Sequence, residues 1–156
     1  MRATIDKIVE RLVLSVLTLM LLSVILQVFS RYVLRSPSTV TDEISSFSLI
    51  WVGLLGAAYA SGKHLHLAID LIPEKTVKNK QWLFDGIVYL SVTFFALTVM
   101  VIGGLRLVQL SFQFEQNSAT LNIPMGLIYL IVPISGLLVC YYNLDTLLKN
   151  RKTYKA

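Results

Sequence analysis

The sequence predicts an all-α integral membrane protein with four transmembrane helices, and three observations carry that reading. Apolar residues make up 55% of the 156 residues and charged residues 15%, where a soluble domain carries roughly a quarter charged. The charges fall in short clusters between long apolar runs, and the mean hydropathy is +0.69. The basic residues are divided very unevenly between alternate loops, as expected of a multi-pass chain with a fixed orientation.

Residues 2–11 place Ile5, Ile8 and Val9 on one helical face and Arg2, Asp6, Lys7 and Glu10 on the other. This pattern suits a short amphipathic helix at the membrane surface. The apolar run that follows outlasts the core of a secretory signal and has no small-residue cleavage site after it. It reads as a retained first span over residues 12–34. Arg31 would lie about 28 Å beyond Leu12 along that helix, within reach of the far interface together with Arg35. Gln27 lies deeper and calls for a polar partner on a neighbouring helix.

Pro37 and the hydroxyl residues around it mark a turn. Thr41 is a candidate N-cap, which would put Asp42 and Glu43 at the positive end of the second helix. The two acids read either as helix-end acids or as partners of Arg31 and Arg35 tying spans one and two together. Span two is expected over 44–61. Its small residues Gly53, Gly56, Ala57 and Ala60 recur at helical spacing and form a candidate packing face for another helix. Trp51 lies inside this span and reads as a packing aromatic.

Gly62-Lys63-His64 closes the helix. His64 and His66 have only Asp70 as a close acid, which makes a metal site there improbable. Residues 65–72 suit an amphipathic interfacial piece closed by Pro73, followed by a basic stretch with Lys75, Lys78 and Lys80. Span three is expected over 84–105, with Gly103-Gly104 near its end able to bend or approach a neighbour. The partly apolar 105–117 stretch carries Leu107, Leu110 and Phe114 on one helical face. Pro124 suits the first turn of span four, expected over 123–144, and Pro133 should kink that span.

Eleven basic residues fall on the side of the two ends and the middle loop: Arg2, Lys7, Arg11, Lys63, Lys75, Lys78, Lys80, Lys149, Arg151, Lys152 and Lys155. Three fall on the other side: Arg31, Arg35 and Arg106. The expected topology therefore has both termini cytoplasmic. The net charge of +5 follows from this pattern. It does not suggest nucleic acid, since no basic stripe with interleaved aromatics is present. Cys140 stands alone in an apolar run, so no disulfide can form within the chain. No nucleophile motif, phosphate loop or Cys/His cluster is visible, and no cofactor is expected. No span carries an acid near its centre, where a self-sufficient transporter usually places one. A four-helix membrane subunit that packs against a partner fits these features.

The order and spacing of several residues resemble the small membrane subunit (DctQ-like) of TRAP, the tripartite ATP-independent periplasmic transporters. They are Arg31-Tyr32, Pro37, Asp42-Glu43, Trp51, Gly56-Ala57, Gly62-Lys63-His64 and Asp70, then Leu121, Ile123-Pro124, Tyr129, Pro133 and Gly136. The family often has two glutamates where this chain has Asp42-Glu43. The resemblance implies a bacterial inner-membrane protein with two partners besides lipid: a large membrane subunit and a periplasmic substrate-binding protein. It implies uptake of an organic acid (a C4-dicarboxylate, sialic acid or another sugar acid) driven by an ion gradient, commonly sodium. The small subunit would brace the large one and hold no substrate site. Arg31, Asp42 and Glu43 would fix spans one and two on the periplasmic side, and His64 and Asp70 would orient the cytoplasmic surface helix. The competing readings are an assembly subunit of another membrane complex, a small homodimeric exporter, and a haem-binding redox subunit. The last needs histidines within spans, and both histidines here lie beyond span two.

Overall fold

The computed structural model describes residues 2–36, 38–63 and 81–153. Four helical stretches within them are long and apolar enough to cross a membrane: Thr4–Tyr32, Thr39–Gly62, Gly86–Gln113 and Met125–Leu147. Pro37, His64, His66, Asp70, Pro73 and the lysines at 75, 78 and 80 lie outside the described residues, as does the interfacial piece expected over 65–72.

The first helix, α1 (Arg2–Tyr32), runs unbroken for 31 residues. The separate surface helix expected over 2–11 is its opening turns, because no Gly or Pro interrupts residues 2–32. Its length of about 46 Å exceeds the roughly 30 Å apolar layer, so it tilts or projects beyond it. It ends in a widened turn, with the Leu34 N–H donating to Phe29 C=O at 3.4 Å and the Ser36 N–H to Ser30 C=O at 3.2 Å. Arg35 then takes the left-handed conformation (φ 51°), which stops a right-handed helix.

Helix α2 (Thr39–Gly62) begins earlier than the expected 44–61 span. Its cap is Ser38, not Thr41: Ser38 is extended, and its hydroxyl accepts the Thr41 N–H at 3.4 Å. The Thr41 hydroxyl is engaged within the first turn, donating to Ser38 C=O at 3.0 Å. Asp42 and Glu43 therefore stand about a turn inside the helix.

The third span is one continuous rod made of α3 (Gln81–Phe95), a π-helical segment (Ala96–Gly103) and α4 (Gly104–Gln113). It outruns the expected 84–105 span. In α4, Gly104, Val108 and Ser111 turn inward, and the Leu107/Leu110/Phe114 face looks outward. A Schellman arrangement closes α4, with Glu115 left-handed (φ 47°) and the Gln116 N–H donating to Ser111 C=O at 3.0 Å.

The fourth span is split into α5 (Met125–Tyr129) and α6 (Ile131–Thr153). Pro124 stands just before α5 as its cap residue. Pro133 lies in the first turn of α6, where its missing N–H deprives Tyr129 C=O of the usual donor. The expected kink is thus a break at Leu130, after which the ladder resumes with the Ile134 N–H donating to Leu130 C=O at 3.3 Å.

Helix α1 packs on α2, α2 on α6, and α6 on the third span. Half of the fourth span's apolar window is buried against 6% of the first's, so α6 is central and α1 flanks. The core joins Ala58 of α2, Ala96 of the π segment, and Val139 and Cys140 of α6. Small side chains there let the backbones approach closely.

Candidate functional site

The charged side chains of the described residues gather at the two ends of the bundle. At one end, Glu43 of α2 reaches the 114–124 connection. Its carboxylate accepts the Thr120 N–H at 2.8 Å, the Leu121 N–H at 3.0 Å and the Ser118 hydroxyl. The connection is shaped to present these donors: the Ser118 N–H is held by Ile123 C=O at 2.9 Å and the Met125 N–H by Gln116 C=O at 2.8 Å, and Asn122 is left-handed (φ 53°). A carboxylate holding three donors is a fastener between segments, since charge-assisted bonds of this kind are the stronger ones. Beside it lies a recess of about 460 Å³, walled by Asp42, Ser46, Phe47, Asn117, Met125 and Tyr129 among others.

The expected pairing of Arg31 or Arg35 with these acids does not form among the described contacts. Asp42 instead accepts from the Gln27 amide of α1, and Arg31 and Arg35 are exposed. The reason lies in the end of α1: Arg31 and Arg35 project from the outer side of the bundle, while Gln27, one turn further in, faces α2. Gln27 thus has the partner on a neighbouring helix that its depth called for.

At the opposite end, Arg2 joins three helices. Its guanidinium pairs with the Asp145 carboxylate of α6, donates to Gly62 C=O at the end of α2, and stands 6.0 Å from the centre of the Tyr142 ring. A cation on the last carbonyls of a helix meets both their unfilled bonding and the negative dipole end. Next to it the Ser61 hydroxyl donates to Asn143 Oδ1 at 3.2 Å, and Asn143 is 1% exposed. Gly62 is indispensable here: a Cβ on it would stand 2.7 Å from the buried Tyr142 ring.

The small-residue face of α2 has a different fate. A Cβ on Gly53 or Gly56 would meet nothing within 4 Å, and Gly53 and Ala57 are exposed. The face turned inward is Ser48, Leu55, Ala58, Ser61 and Gly62. It lies two positions on, about 200° round the helix. The helix thus carries two small-residue faces, one filled by α6 and one partly open, with Gly53 and Ala57 exposed and Gly56 and Ala60 half-buried. Trp51 is half-buried. Among the described residues no group of three or more His, Cys, Asp or Glu is placed to hold a metal ion.

Two contributions escaped the sequence reading. Arg2 reads in the sequence as a polar-face and basic-end residue, and two of the three donors to Glu43 are backbone N–H groups that leave no side-chain signature. Gly62 next to a charged helix end was visible, but its Tyr142 neighbour lies 80 positions away.

Residues 20–153 match the family model described as tripartite ATP-independent periplasmic transporters, DctQ component. A Haemophilus influenzae protein named "Putative TRAP transporter small permease protein" is 29% identical over 135 residues, covering 86% of this chain and 82% of that protein.

Proposed function

The chain belongs to the DctQ family of tripartite ATP-independent periplasmic transporter components, and on that premise we propose that it is a non-catalytic scaffold that binds and braces a large membrane subunit. A periplasmic binding protein delivers the substrate to that complex. The cargo is an organic acid such as a C4-dicarboxylate, sialic acid or another sugar acid, and an ion gradient, sodium in the first instance, drives its uptake. The ion and substrate sites belong to the large subunit, in keeping with the lack of any acid near the centre of the four described spans. The chain sits in the bacterial inner membrane with both termini cytoplasmic. Arg2, Gly62 and Asp145 meet at one end of the bundle, the end to which eleven of the fourteen basic residues belong by sequence.

The observation that carries the scaffold reading is the partly open face of Gly53, Gly56, Ala57 and Ala60. In lipid, small residues favour association by admitting a neighbouring backbone, and a Cβ on either glycine of this face would meet no atom of its own chain within 4 Å. Co-expression with the large subunit and recovery through a tag on this chain tests it. Gly56→Leu should sharply reduce recovery of the large subunit while leaving this chain folded, since a Cβ at this position meets no atom within 4 Å. Undiminished recovery would remove the face from the interface, and no large subunit with the unaltered chain would remove the scaffold role. Impermeant labelling of a tag at residue 38, but not of a C-terminal tag, checks the orientation.

A further inference from the structure

Spans three and four are both weakened at the same level, and the weak points face each other. The third span widens into the π-helical segment Ala96–Gly103, and the fourth breaks at Leu130 ahead of Pro133. A Cβ on Gly104 would stand 3.0 Å from Pro133 Cδ and from Val132 Cγ1, and one on Gly136 would stand 2.7 Å from Met100 Cβ and 3.2 Å from Ala96 C=O. Irregular turns of this kind are where membrane helices bend, because their backbone bonds can be rearranged at small cost.

On one side of this seam, α4, the 114–124 connection and α5 form a unit of their own. Gly126 lies against the Phe112 ring, where a Cβ would approach to 2.6 Å. The Met125 N–H donates to Gln116 C=O at 2.8 Å, and the Ser118 N–H to Ile123 C=O at 2.9 Å. Helix α2 packs substantially on α1 and α6 but not on α4 or α5. The recess of about 460 Å³ separates its first turns from this unit, and Glu43 bridges the gap.

We propose that α4, the 114–124 connection and α5 form a hinged cap that bends at the Ala96–Gly103/Pro133 seam, and that Glu43 is the latch holding it against α2. All three bonds of Glu43 run to the cap, so the latch opens as one event at one side chain. Release widens the recess between Phe47 and Met125, while the other half of the bundle keeps its packing through Ala58, Ala96 and Val139.

Pulsed electron paramagnetic resonance on the full chain in lipid nanodiscs tests this, with Cys140→Ala as background. One spin-label pair, at Leu49 and Gln113, spans the latch; a second, at Lys63 and Leu144, spans the other end. All four positions are exposed. Glu43→Ala should move the first pair to longer distances with a distribution about twofold broader, as expected of a freed cooperative unit, and leave the second pair unchanged. Ser118→Ala should give a smaller shift in the same direction. Adding Pro133→Ala to Glu43→Ala restores a donor at the break and should narrow the distribution again. The proposal is overturned if Glu43→Ala leaves the first pair where it was, if both pairs move alike, or if Pro133→Ala does not narrow the distribution.

Discussion

The two ends of the bundle are built on different plans. At the Arg2 end, α1, α2 and α6 meet directly: Gly62 lies under the Tyr142 ring, Ser61 bonds Asn143, and Arg2 bonds both neighbours. At the Glu43 end, α2 and the α4–α5 unit stand apart across a recess of about 460 Å³, and among the described residues the Glu43 carboxylate bonds across it. At the Arg2 end the buried Tyr142 and Asn143 pack closely on Gly62 and Ser61, so those contacts depend on shape. The Glu43 end depends on hydrogen bonds to one carboxylate, and water can replace them. Fold stability should therefore concentrate at the Arg2 end and adjustability at the other.

The strongest way to break this contrast is Gly62→Leu. The side chain would have to enter space held by Tyr142, which is 1% exposed and cannot swing into solvent. Overpacking at such a site costs about 3 kcal/mol, and the α2–α6 seam should loosen. Cys140, the sole thiol, is buried in that region, so the temperature at which it reacts with a fluorogenic maleimide reports the effect. A large drop is expected; an unchanged reaction temperature would mean that the Gly62–Tyr142 contact does not hold the seam. Gly126 offers the comparison at the other end, since the Phe112 ring above it is exposed and has room to turn aside.

Next in size is Arg2→Ala. It leaves a part-buried Asp145 carboxylate without this partner and Gly62 C=O without its donor, a combined loss of about 2 kcal/mol. The Cys140 reaction temperature should fall by less than with Gly62→Leu, and the fall should persist at high salt because part-buried pairs are weakly screened. A loss that vanishes in high salt would place Arg2 among ordinary surface charges.

The four spans were legible in the sequence because span length and low charge follow from bilayer thickness alone. Their ends were less so. Thr41 directly precedes two acids and so resembles a cap, but Ser38 is the residue at which the chain is still extended. The α1 opening looked like a separate surface helix because amphipathic periodicity is the same whether or not a helix continues. At the polar ends, residue type was informative and pairing was not. Gln27 called for a partner and has Asp42, whereas Arg31 looked as suitable for those acids and stays in solvent. Glu43 stands out in the sequence as a candidate cluster residue, but its backbone donors do not, since every residue other than proline carries an N–H. The two small-residue faces of α2 were equally visible in composition, and only the placement of α6 decides which one the chain fills itself.

The smallest effect predicted sharpens the contrast from the Glu43 end. Gln27→Leu removes the amide that donates to Asp42 while keeping side-chain volume. Asp42 is exposed, so water replaces the lost donor and the desolvation penalty that makes buried losses costly does not arise. The leucine stays on the face of α1 turned to α2, where Val13, Val16 and Met20 are half-buried, and adds apolar contact in place of the amide. The two changes nearly offset, and stability should stay within about 0.5 kcal/mol of the unaltered chain. The Cys140 reaction temperature should accordingly remain where it is. If it fell as far as with Arg2→Ala, the helix pair α1–α2 would depend as much on its Glu43-end bond as on its Arg2-end cluster, and the division of the bundle into a packed end and an adjustable end would not hold.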